Sequence, residues 1–126
     1  MSLRTPLANA RGLGSAKEGV DHWWKQRLTA IALVPLMLWL GFSVATIGVA
    51  DYYSVVAWIG NPVNSALLIL TLAVGFWHGA LGLQSVIEDY INGEASKLVV
   101  LVLVQFAAVV LALAGILSVL RIALGV

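Results

Sequence analysis

One histidine, His78, stands inside an apolar stretch that runs from Asn61 to Ile87 with no Asp, Glu, Lys or Arg. An ionisable side chain in such surroundings is costly, and by default it marks a functional position. An imidazole there has three uses: a hydrogen bond between packed helices, a bond to iron, or a proton relay. Gly75, Gly79 and Gly82 fall at minus three, plus one and plus four from it, so a bare strip of helix flanks the ring. A neighbouring helix could fill that strip through small-xxx-small packing at Gly75 and Gly79. A flat macrocycle whose iron the imidazole ligates could fill it equally well. The residue pattern leaves all three uses open.

Further along the same segment come Gln84, Ser85, Glu88, Asp89 and Tyr90. His78, Gly82, Ser85 and Asp89 recur on one helical face. Asp89 and Tyr90 thereby bring a carboxylate and a phenol to the membrane boundary, about 18 Å from His78 along a helix rising 1.5 Å per residue. A phenol donates a hydrogen bond to a carbonyl oxygen, and a carboxylate beside it orients it or passes protons. The plainer reading is an interfacial tyrosine and a solvated acidic helix end. Lys25 and Arg27, ahead of the first apolar stretch, can pair with propionates, a quinone headgroup or lipid phosphate. The other histidine, His22, lies before that stretch, at the surface. Two ligands of one iron must stand about 4 Å apart, given roughly 2 Å per metal–nitrogen bond. His22 and His78 are not expected to do so, which leaves any second ligand to another polypeptide.

The elements that carry these residues follow from composition. The chain has 126 residues, 61% of them hydrophobic and 10% charged, with a net charge of +1 and a mean hydropathy of +0.99. An ordinary soluble domain is roughly half apolar and about a quarter charged, so a soluble enzyme, a disordered chain and a nucleic-acid binder are excluded. Without cysteine the chain holds no disulfide, thiolate metal site or iron–sulfur cluster. Three uncharged stretches, 28–50, 61–87 and 98–120, each exceed the roughly 20 residues that cross a bilayer, and helices are the form that satisfies their backbone there. The expectation is an all-α membrane protein: an N-terminal segment over 1–27 and a three-helix domain over 28–126, with helices near 28–50, 61–90 and 97–121. Asn61-Pro62 and Asn92-Gly93 mark the turns around the second helix.

Arg4, Arg11, Lys17, Lys25 and Arg27 precede the first span and Lys97 lies in the second loop, whereas 51–62 has no Lys or Arg. The positive-inside rule then places the N-terminus in the cytoplasm, or in the matrix if mitochondrial, and the C-terminus outside. Trp23 and Trp24 read as the inner aromatic belt, and Tyr52, Tyr53 and Trp58 as the outer one. The first 20 residues read as a polar tail over the surface or a partner. Gly12-Leu13-Gly14 lacks the third glycine and preceding strand of a dinucleotide fingerprint. Pro35 is expected as a tolerated kink, and Gln105 as an interhelical hydrogen bond.

Two segments carry a family likeness. His78-Gly-Ala-Leu-Gly82-Leu-Gln84-Ser-Val-Ile-Glu-Asp89-Tyr90 resembles the second helix of the small hydrophobic membrane anchor of succinate dehydrogenase. Trp24-Lys25-Gln26-Arg27-Leu28-Thr29-Ala30-Ile31 resembles the opening of that subunit's first helix. The likeness covers the chain from Val20 onward, and the leader and double Trp resemble the alphaproteobacterial or mitochondrial branch. It implies half of a two-subunit anchor bundle that binds one haem b and ubiquinone. The implied partners are a second, cytochrome b556-type anchor, an iron–sulfur subunit and a flavoprotein subunit, with FAD and iron–sulfur clusters confined to the last two. By position, the resemblance makes His78 one axial haem ligand, Arg27 and His22 contacts of the haem propionates, Tyr90 a hydrogen-bond donor to ubiquinone, and Asp89 its proton-delivering neighbour. The alternatives are the anchor of a menaquinol-using fumarate reductase and a haem-free membrane scaffold.

Overall fold

The computed structural model describes residue 6 and residues 13–126, with side chains from residue 19 onward. Arg4, Arg11, Gly12 and the side chain of Lys17 lie outside the described residues. So does the surface tail expected over the first residues, up to the point where the first helix begins. The described chain is helical from end to end: α1 (Leu13–Ile47), α2 (Tyr52–Gly60), α3 (Pro62–Tyr90) and α4 (Glu94–Leu124). Three segments are long and apolar enough to span a membrane, Gly19–Ile47, Pro62–Tyr90 and Glu94–Leu124. At 1.5 Å per residue, their 29, 29 and 31 residues reach about 43 Å or more, beyond the roughly 30 Å of hydrocarbon.

The helix ends follow local chemistry. The Asn61 side chain accepts hydrogen bonds from the Val63 and Asn64 amides, and Pro62 occupies the first turn, where its missing N–H costs nothing. Gly125, at φ 69°, closes α4. Its amide reaches the Ile122 carbonyl and that of Val126 reaches Arg121, the Schellman pattern that favours glycine at this point.

Two boundaries differ from the sequence expectation. α1 starts at Leu13 rather than near 28, so Asp21 to Arg27 are helical. No proline interrupts 13–27, and helix formation, once nucleated in the apolar stretch, propagates at little cost per residue. The connection between the first two spans holds a short helix of its own, α2, capped by Asp51, whose carboxylate accepts from the Ser54 amide 3.2 Å away. That hydrogen bonding keeps the Asp51 carboxyl below its ordinary value. Pro35 lies inside α1, which continues through it.

α3 is the central helix and packs against both α1 and α4. The α1–α3 register is antiparallel, with His22 opposite Ser85, Thr29 opposite His78 and Leu33 opposite Gly75. On α1 these positions follow the three-and-four spacing of a heptad seam. Thr29, Leu36 and Ser43, seven residues apart, are all buried. The buried set also includes Ser65, Thr71, Ala80, Leu81, Ile87 and Val119, and most large apolar side chains face outward. Such a surface suits lipid and partner helices rather than water. Trp58, expected in the outer aromatic belt, instead stacks on Trp39 of α1, with centroids 5.6 Å apart and planes 19° from parallel. Tyr52 and Tyr53 stay exposed.

Candidate functional site

His22, Gln26, Thr29, His78 and Ser85 gather on the α1–α3 seam, toward the end where α1 begins. Thr29, only 4% exposed, sits with its Oγ1 2.9 Å from Nδ1 of His78. One turn toward the N-terminus, Gln26 lies over Gly82; a Cβ at that glycine would meet the amide nitrogen of Gln26 at 3.6 Å. Another turn along, Nε2 of His22 is 3.1 Å from the Ser85 hydroxyl. Ser85 also donates to the Leu81 carbonyl at 3.3 Å. Gln26 Oε1 is buried without a hydrogen-bond partner among the described residues.

Gly82 faces Gln26, and a Cβ at Gly75 would touch Leu33 at 4.0 Å, so two members of the strip beside His78 do lie against a helix. Gly79 does not: nothing lies within 4 Å of its Cβ position. It was expected as a packing residue with Gly75, but its place one position past His78 turns it away from α1. It opens instead into a cleft of about 380 Å³ between α3 and α4, bordered by Gly75, Phe76, Ala80, Val104 and Ala108. Gln105 also departs from expectation. It is exposed, makes no hydrogen bond among the described residues, and lines a smaller cleft with Ala73 and Trp77.

The two histidines have different partners, and the two contacts, Thr29–His78 and His22–Ser85, lie about two turns apart along the seam. His22 is therefore a seam residue rather than a free surface group. Arg27 lies almost opposite Thr29 around α1, two residues being 200° of helix. Its guanidinium rests 5.5 Å from the Trp23 ring centroid, a cation–π contact. Lys25 bonds Asp21 at 2.9 Å, a partly exposed pair one turn apart. Asp89 and Tyr90 end α3 side by side, both exposed, Tyr90 at 79%. Neither makes a side-chain hydrogen bond among the described residues, while Gln84 donates to Glu88 at 2.9 Å. Thr29 and Gln26 were not singled out from the sequence. The signal that finds them is the heptad 22, 26, 29, 33, 36 laid against His78.

His78 is partly exposed, its Nδ1 is engaged, and no described group bonds Nε2. That arrangement fits a haem iron, which takes its equatorial nitrogens from the porphyrin and needs only an axial imidazole from the chain. Among the described residues no three His, Cys, Asp or Glu gather as they would around a bare metal ion.

Residues 1–112 match the family model of the succinate dehydrogenase/fumarate reductase transmembrane subunit. The chain belongs to that family. It is 32% identical over 117 residues to the succinate dehydrogenase hydrophobic membrane anchor subunit of Rickettsia bellii, covering 93% of this chain and 94% of the relative. The corresponding subunit of Paracoccus denitrificans is 33% identical over 115 residues, 90% of this chain and 88% of its own length. The succinate dehydrogenase membrane anchor subunit of Reclinomonas americana is 35% identical over 96 residues, 74% and 80% of the two chains. Together with the three apolar spans, membership of this family makes the chain a multi-pass membrane protein.

Proposed function

We propose that this chain is the membrane-anchor subunit of a succinate dehydrogenase. With a second three-helix anchor it holds one haem b and a ubiquinone site, and it attaches the iron–sulfur and flavoprotein subunits to the cytoplasmic face of the inner membrane, or to the matrix face of its mitochondrial equivalent. The observation that carries the reading is His78: its Nδ1 is anchored 2.9 Å from Thr29 and its Nε2 has no partner among the described residues. Metal-bound histidines characteristically bond a second group through the other ring nitrogen. The relatives favour succinate dehydrogenase over fumarate reductase, since each bears that name.

In this role His78 would hold the haem iron through Nε2, together with a residue of the partner anchor. Arg27 and His22 would pair with the haem propionates, His22 through the ring nitrogen that Ser85 does not engage. When bound, the haem supplies a one-electron couple. Tyr90 donates its phenolic proton in a hydrogen bond to a ubiquinone carbonyl, and Asp89 beside it carries protons from the aqueous face to the reduced quinone. The N-terminus is cytoplasmic and the C-terminus periplasmic, in keeping with the basic residues before α1.

The test is a reduced-minus-oxidised spectrum of the complex purified in mild detergent, developed with succinate and then dithionite. A b-type band that succinate partly develops is the expected result, and a flat spectrum from an intact complex would leave the haem-free scaffold. His78→Ala should lose the band. Tyr90→Phe should keep it while slowing ubiquinone reduction, and wild-type turnover would remove Tyr90 from the quinone site.

A further inference from the structure

The hydroxyl of Thr29 has one proton and three neighbours. Oγ1 lies 2.8 Å from the Lys25 carbonyl and 3.1 Å from that of Gln26, on its own helix, and 2.9 Å from Nδ1 of His78 on α3. Carbonyl oxygens only accept. If the proton pointed at Nδ1, the lone pairs of Oγ1 would face two carbonyl oxygens at hydrogen-bond distance with nothing between them. The proton therefore points at the carbonyls, the back-bonded arrangement usual for a threonine within a helix. Oγ1 then meets Nδ1 as an acceptor, so the ring proton sits on Nδ1 and the Nε2 lone pair is free. Burial of Thr29 keeps water from offering His78 an alternative partner there.

We infer that Thr29 is a positioning residue for His78: its back-bonded hydroxyl holds the imidazole in the Nδ1–H tautomer and in one orientation, so that Nε2 is presented as a ligand. This rests on the reading of His78 as the haem ligand. Gly75 and Gly82 lie against Leu33 and Gln26 of α1 on either side of this contact. An acceptor on the far ring nitrogen raises the basicity of the ligating one and fixes its orientation. A more basic ligand stabilises ferric over ferrous iron, so Thr29 holds the haem potential down.

The experiment uses the whole complex, purified in mild detergent, with Thr29→Val, Thr29→Ser and His78→Ala. Haem content, the redox titration of the b band and the low-spin ferric electron paramagnetic resonance signal are read in each. Thr29→Val keeps the side-chain shape and loses the hydroxyl. It is expected to raise the ferrous-to-ferric ratio at a fixed poise by about threefold to tenfold, tenfold being 59 mV for a one-electron couple. The ferric signal should broaden as the ring gains rotational freedom. Thr29→Ser should restore the wild-type values, which a purely packing role would not require. A Thr29→Val complex with wild-type potential and ferric signal overturns the inference, provided His78→Ala loses the haem. Full haem and an unchanged spectrum in His78→Ala overturn instead the ligand reading on which it rests. If Thr29→Val does not assemble, Thr29→Ala removes the hydroxyl without adding a methyl and is read by the same criteria.

Discussion

The two faces of α3 are built on different principles. Against α1 it makes two polar contacts, His22 with Ser85 and Thr29 with His78, with Gln26 lying over Gly82 between them. Against α4 the contacts are apolar, with close approach at one point and an open cleft at another. Leu72 lies over Gly115, and Ala80, Ala107 and Ala108 border an open cleft. Lipid tails are as apolar as leucine, so burying leucine between helices gains little in a bilayer; close packing and hydrogen bonds supply the association. The α1 side has both, at defined positions, so it can hold an imidazole in one orientation. The α4 side has packing alone, and its clefts leave room for a neighbouring chain or lipid.

That contrast can be broken most severely at Gly82. A Cβ there is tolerated at 3.6 Å from Gln26, but the further atoms of Gly82→Leu would drive α1 off α3, at about 1–3 kcal/mol for an overpacked contact. Both histidine contacts should be lost together, seen as a lowered thermal midpoint and a lowered haem content in the same preparation. An unchanged midpoint would mean that the seam is not what joins these helices. Ser85→Ala probes a single contact. Removing the partner of His22 should cost about 0.6 kcal/mol, the average for an interhelical hydrogen bond in a membrane, with haem content unchanged. A haem loss as large as that of Gly82→Leu would make the Ser85 contact of His22 necessary for holding the haem. The smallest effect is expected on the other face. The Cβ of Gly115→Ala would sit 3.1 and 3.3 Å from the two terminal carbons of Leu72, a flexible tip that can give way. The change in stability should stay within about 0.5 kcal/mol. A large loss there would show that the α4 face is packed as specifically as the α1 face.

Much of this was legible without coordinates. Uncharged runs longer than the bilayer is thick dictate spanning helices, because no other form satisfies the backbone in lipid. The stop at Asn61-Pro62 could be read because a capping side chain and a residue without an N–H act locally. His78 stood out because charge-bearing side chains are costly at that depth. Other features depended on neighbours. Gly79 looked equivalent to Gly75 and Gly82 until the direction of α1 was known. Trp58 reads as a belt residue in the sequence and is a stacking partner of Trp39 in the fold. The start of α1 at Leu13 hid in a stretch without apolar periodicity, because propagation from a formed helix needs no pattern of its own.

The sequence by itself determined that the chain is a three-span membrane protein, where the second span begins and ends, and which single imidazole lies inside it. Those properties depend on hydrophobicity and on the backbone within one segment. Tertiary structure alone decided that Thr29 holds His78, that His22 turns toward Ser85, and that two of the three glycines receive α1 while the third opens on a cleft. These depend on the register and rotation of one helix against another. In a bilayer that register is chosen by a few hydrogen bonds and close approaches between residues 49 or 63 positions apart, and no local pattern encodes it.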